Sequence, residues 1–162
     1  HAKKGPMNHY FNPYAEKGNE FLDVLSDHLL VGDDVHRAVR ILRSVLHALR
    51  DNLPVEVSLQ FMAQLPMVVK ALYIEGWKAP VAKLKPLRQS DDFVQLVMQK
   101  ENSLLAVHDF IDADGAVAAI HAVFRTLAYY VSEGEWEDVL HVLPENLQSF
   151  LRSGETAHFL IL

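Results

Sequence analysis

The chain is expected to be all-α, a helical bundle of two similar multi-helix repeats packed together. Three observations predict this. Apolar residues, half of the composition, recur at three- and four-residue steps, the period of an amphipathic helix. Period-two alternation, the mark of a half-buried strand, is scarce. The apolar pattern of residues 38–73 also returns at 116–151 with a constant offset and no gap.

In chain order, residues 1–14 are read as an N-terminal extension and 15–77 as the first helical repeat. A linker follows at 78–90, then the second repeat at 91–152 and a C-terminal tail at 153–162. In the first repeat Val35, Ala38, Val39, Leu42, Val45, Leu46, Leu49 and Leu53 form one apolar stripe. Asp33 or Asp34 can cap that helix by accepting a bond from its free amide groups. Across the offset, Ala38 meets Ala116, Val45 meets Val123, Leu49 meets Leu127, and Leu65-Pro66 meets Leu143-Pro144. Proline lacks an amide hydrogen and disfavours helix at the residue before it, so both Leu-Pro pairs predict a helix end and a new start. Upstream, Phe21-Leu22-Asp23-Val24-Leu25 echoes Phe93-Val94-Gln95-Leu96-Val97, with a longer connection in the second repeat. Ser132 and Glu135 have capping-box spacing, and Ser90-Asp91-Asp92 supplies another helix start. These signals predict about seven to nine helices.

Composition excludes several function classes. The chain of 162 residues is long enough to bury a core without a metal or a disulfide, and it has no cysteine for thiolate chemistry. Acidic residues outnumber basic ones by 21 to 15, a formal charge of −6, so nucleic acid is not an expected partner. The amino-terminal stretch has two lysines but no apolar run after them and is not read as a signal peptide. No apolar stretch approaches the roughly 18 residues of a membrane span, so no membrane association is expected and the location is read as cytoplasmic.

Leu46-His47-Ala48-Leu49-Arg50-Asp51-Asn52-Leu53-Pro54, then Ala63-Gln64-Leu65-Pro66, then Tyr73-Ile74-Glu75-Gly76-Trp77 form a recognisable series. With Gly134-Glu135-Trp136-Glu137-Asp138-Val139 and Leu143-Pro144, they resemble the bacterial family filed as domain of unknown function 2267. The resemblance covers about residues 20–151 and implies a helical prokaryotic protein. It lends no activity, cofactor or catalytic residue.

Strong catalytic signatures are missing: the seven glycines are scattered singly, and no phosphate loop, nucleophile elbow or His-Glu-x-x-His motif occurs. No catalytic residue, metal site or cofactor is assigned. Nine histidines invite a metal reading. His47 with Asp51, His108 with Asp112, and His141 with Glu137 and Glu145 each have a carboxylate one helical turn away. Such pairs are common on helix surfaces and are read as structural, as is the single Glu155-x-x-His158. Asp112-Ala113-Asp114-Gly115 fits a helix cap better than a calcium loop, whose first and last places would fall to Phe110 and His121.

The candidate partner-binding residues are His36, Arg40, Arg43, His47 and Arg50, a basic face opposite the apolar stripe, together with Trp77. In the second repeat the positions matching the arginines hold Ala118, His121 and Ala128. A solvated face balanced by acidic residues of neighbouring helices is the competing reading, and a lid over the linker is the competing reading for Trp77. The helix from Ala116 to Val131 is apolar almost all round, which places it centrally or, alternatively, in a homodimer interface. The tail Phe159-Leu160-Ile161-Leu162 either folds back over the core or docks on a partner.

Two functions are carried forward. The first is a non-catalytic interaction or scaffold module acting on an unidentified protein or acidic ligand. The alternative is a ligand- or metal-binding bundle, possibly an enzyme, with a site between the two repeats. Convergence of three or more of His47, His108, His121 and His141 on one cavity would favour the second.

Overall fold

The computed structural model describes residues 9–78 and 86–160, the side chains of 154–160 excepted. The readings of the tail and of Glu155 with His158 therefore lie outside the described side chains, as do residues 79–85 of the linker. Nine helices and no strand occur among the described residues. The first half holds α1 (Asn12–Leu29), α2 (Val35–Arg50), α3 (Val55–Ala63) and α4 (Met67–Ile74). The second holds α5 (Ser90–Lys100), α6 (Ser103–Phe110), α7 (Ala113–Leu127), α8 (Glu133–His141) and α9 (Glu145–Leu160).

The helix starts keep one register. Val35, Val55 and Met67 open α2, α3 and α4, and Ala113, Glu133 and Glu145, each 78 positions later, open α7, α8 and α9. Local chemistry sets these starts. Asp34 accepts from the Arg37 amide at 3.2 Å, and Asp112 accepts from the Gly115 amide at 2.8 Å. Ser132 accepts more weakly from the Glu135 amide at 3.4 Å. Pro66 caps α4, and the Pro66 and Pro144 carbonyls take the first helical bonds of α4 and α9, from Lys70 and Gln148. The Asp92 carboxylate reaches back to the amides of Arg88 and Gln89 and so fixes the start of α5. At the amino end, α1 begins at Asn12, so its first turn comes from the stretch read as an extension; Pro13 is well suited to that turn, where an amide hydrogen has no helical partner.

The halves interlock. α1 packs most extensively on α7, α5 packs on α2, and α3 meets α8. The first helix of each half thus covers the long helix of the other, and the result is a single core. Phe21 and Leu25 of α1 and Phe93 and Val97 of α5, the two echoed segments, are all fully buried. An aromatic chain crosses between halves, with Phe61 to Trp136 at 6.1 Å and Trp136 to Phe124 at 5.2 Å between ring centres. The apolar α7 is the central helix, contacted by α1, α5, α6 and α9. No described helix is long and apolar enough to cross a membrane.

Candidate functional site

The basic face of α2 is largely engaged inside the fold. Arg40 makes two 2.8 Å bonds to Asp109, whose side chain is fully buried at the end of α6. Burial opposes ionisation of Asp109, but the Arg40 guanidinium and the His108 ring hold its carboxyl below the usual range. Arg43 pairs with Glu75 at 2.8 Å and lowers that carboxyl too. Arg50 is 7 % exposed and donates to the carbonyls of Tyr73 and Glu75, at 2.9 and 2.8 Å. These are carbonyls at the end of α4, which have no further turn of helix to bond. Trp77 lies over the same corner, edge-on to Tyr73, with the Arg50 guanidinium 5.9 Å from its ring. The His47 Nε2–H donates to the Leu72 carbonyl at 2.7 Å, and burial pushes the ring below its usual pKa. His36 is exposed.

The histidines do not converge. His47 lies against α4, while His121 Nε2–H donates to the Phe150 carbonyl of α9 at 3.0 Å. His108 bonds its own neighbour Asp109 rather than Asp112, because Asp112 caps α7. His47 likewise has no bond to Asp51, which takes Arg50 and Lys100 instead. Of the expected histidine–carboxylate pairs, His141 with Glu137 forms, at 3.6 Å and largely exposed. Among the described residues no group of three potential ligands could hold a metal ion.

A different set of residues comes together. A cleft of about 430 Å³ lies between the halves. Its walls are His28 to Val31 at the end of α1, Arg37 and Ile41 of α2, Asp109 to Ile111 at the end of α6, and Gly115, Ala118, Ala119, His121 and Arg125 of α7. The volume falls within the usual range for small-molecule sites. Its electrostatics are one-sided. Asp109 is the acid in the lining, and Arg40 has already matched it. Arg37 bonds only the Asp109 backbone carbonyl, at 2.7 Å through Nη2, and neither Arg37 nor Arg125 pairs with a carboxylate among the described residues. The Arg125 Nε is buried and has no hydrogen-bond partner, an arrangement a native interior rarely leaves without a reason. His121 is pushed toward the neutral form by burial and by Arg125. Its Nε2–H is bound to a carbonyl, so Nδ1 is left as an acceptor. His28 Nδ1 bonds the Thr126 hydroxyl at 3.0 Å; that hydroxyl already donates to the Ala122 carbonyl, so the imidazole is the donor.

Backbone strain gathers at the same place. Leu30 closes α1 at φ 58°, and Ile111 follows α6 at φ 71°, ψ −62°. The Asp112 amide bonds the Phe110 carbonyl at 2.8 Å, which makes Ile111 the centre of a γ-turn. Such conformations cost about 1–3 kcal/mol each for residues with a Cβ. Gly115 is required beside them, because an added Cβ would stand 1.8 Å from the Phe110 carbonyl oxygen. Arg37, Asp109 and Arg125 are the residues that sequence reasoning missed. Their only signal was indirect: Ala118 and His121 stand where α2 has Arg40 and Arg43, so a basic face on α2 becomes an open one on α7.

No curated protein matches the chain. A family model does, over residues 18–150, and its description is an uncharacterized conserved protein. That match spans both halves and every lining residue of the cleft, and the chain belongs to the family of domain of unknown function 2267.

Proposed function

We propose that this chain is a binding module whose inter-half cleft takes a small ligand carrying an anionic group, a phosphate or a carboxylate, with an apolar body. Residue patterning favours an interaction or scaffold module over a ligand-binding bundle; the cleft supports the ligand-binding reading, without the metal and without convergent histidines. The observation that carries it is the pair Arg37 and Arg125, which have no carboxylate partner among the described residues, with the Arg125 Nε buried and without a hydrogen-bond partner there. In a chain of net charge −6, two such cations in one cleft form a local inversion of sign that a ligand anion would balance. Ile41, Phe110, Ala118 and Ala119 offer the apolar wall.

Titration of the protein with inorganic phosphate and with phenylphosphate, followed by amide NMR shifts, tests this. Saturable shifts are expected at Ala118, His121 and Arg125, with a dissociation constant of about 1 mM or below and phenylphosphate the tighter of the two. Arg125→Gln removes a cation, and Ala118→Glu places a carboxylate one turn from His121; both should abolish the shifts while leaving the fold intact. Equal binding by wild type and both variants, or no saturable shift at all, overturns the proposal.

A further inference from the structure

His121 lines the cleft, yet in its neutral form it adds nothing to the charge that Arg37 and Arg125 set against an anion. It stands on α7 one turn before Arg125 and one turn after Ala118, so the three side chains share one face of that helix. Two contacts with α9 fix the ring. Its Nε2–H donates to the Phe150 carbonyl at 3.0 Å, and it packs on the Phe150 ring with 4.7 Å between centres. A carbonyl only accepts, so the neutral ring keeps its proton on Nε2, and a second proton is taken up at Nδ1.

We propose that the cleft couples anion binding to the uptake of a proton at His121 Nδ1, so that the ligand is held more tightly in acid than at neutral pH. The inference rests on the cleft being an anion site and adds its regulation. In the empty cleft the imidazolium is disfavoured twice, by burial and by Arg125, which keeps the ring below its usual 6.5. The surrounding groups do not offset this. α2 brings a second arginine, Arg37; α6 brings Asp109, which Arg40 already matches; α1 brings another imidazole, His28. On α9, Arg152 is turned to Glu137 of α8 at 2.7 Å, and α5 meets α7 through Phe93 on Phe124. Asp114, two turns earlier on α7, is exposed. A bound anion reverses the field at the ring. It offsets the charge of Arg125, and Nδ1–H becomes a charge-assisted donor to it. The folded pKa of His121 therefore rises on binding, and by linkage affinity increases as pH falls from the bound value toward the free one.

Sulfate is the probe, because it stays dianionic between about pH 5.5 and 7.5, where a phosphate titrates. Amide NMR titration at constant ionic strength reads the affinity, and calorimetry in two buffers of different ionisation enthalpy reads the proton uptake. Wild type should bind sulfate at least about three-fold more tightly at about pH 5.5 than at about pH 7.5, with net proton uptake between them. His121→Asn should lose that ratio and the uptake; His121→Gln reads the same if the first variant folds poorly. His47→Asn removes the matching buried imidazole and its carbonyl bond from the first half, and it should keep the wild-type ratio. Equal wild-type affinity at the two pH values, binding without proton uptake, a folded His121 variant that keeps the wild-type ratio, or an equal loss in His47→Asn overturns the coupling and leaves the anion site standing. The absence of saturable sulfate binding at either pH overturns both.

Discussion

At positions 40, 43, 47 and 50, α2 carries Arg, Arg, His and Arg; 78 positions later stand Ala118, His121 and Arg125 of α7 and Ala128 at its end. The helices begin in one register, yet their outer faces have opposite uses. Arg40, Arg43 and Arg50 each hold something that α7 has no equivalent to hold. Arg50 and Arg43 secure the end of α4 at Tyr73 and Glu75, but α9 runs on past the matching positions to Leu160, so its carbonyls there have helical partners. Arg40 holds Asp109 and thereby α6, the inserted helix. With nothing of the kind to secure, the α7 face carries alanines, and the space they leave becomes the cleft. The difference teaches that two helices in matching register carry different outer faces where the termini and neighbouring helices they meet differ.

The largest test of that contrast is Arg40→Ala, which gives α2 the residue α7 already has. It leaves the fully buried Asp109 carboxylate without its bidentate partner, and the loss should be about 3–5 kcal/mol in urea unfolding. Adding Asp109→Asn should recover part of it, since the stranded charge is then gone. A loss below about 1 kcal/mol would mean that Arg40 does not hold α6 to α2.

Gly115→Ala is the next largest. Its counterpart on α2 is Arg37, a position that accepts a long side chain because no γ-turn crosses it. On α7 the new methyl group would meet the Phe110 carbonyl, and the turn at Ile111 must shift, at about 2 kcal/mol. The same shift should perturb the amide resonances of Ala118 and His121 across the cleft. A neutral substitution would show that the turn is loose and the cleft wall adaptable.

Much of the architecture was legible in the residues. The stripe on α2 is strictly periodic, the Leu-Pro pairs break both short helices where expected, and Asp34 and Asp112 cap as their types allow. The offset read from apolar positions recurs in the helix starts. The cleft was not legible. His28 and Thr126 are 98 residues apart, and only the crossed packing of α1 on α7 brings them together. Ile111 hides a γ-turn because a β-branched residue signals extended or helical backbone, whereas glycine or asparagine would have announced a positive φ. Asp109 reads as an ordinary helix-surface carboxylate, and nothing in the local pattern says that Arg40, 69 positions earlier, will be its partner. Arg50 reads as part of an open face for a similar reason: a buried arginine is recognisable only once the carbonyls it caps are known.

The smallest effect sharpens a likeness between the halves rather than their difference. His47 donates to Leu72, and His121 donates to Phe150, which lies 78 positions beyond Leu72. The same backbone carbonyl is thus held in both halves, from helix positions one turn apart. Burial lowers both rings below their usual 6.5. The unfolded chain therefore takes up these protons first. The stability contributed by keeping the rings neutral is complete above about pH 7 and is lost as pH falls through 6.5 toward the folded values. The carboxylates held low by arginine, Glu75 and Asp109, lose their contribution only at lower pH, as they titrate through their depressed folded values. Melting temperature should accordingly fall in two stages on acidification, the first as pH drops through 6.5. His47→Asn with His121→Asn should flatten that first stage and leave the second, at a cost of about 1 kcal/mol per lost carbonyl bond at neutral pH. If one single variant flattened the whole stage and the other did nothing, the two halves would differ here as well.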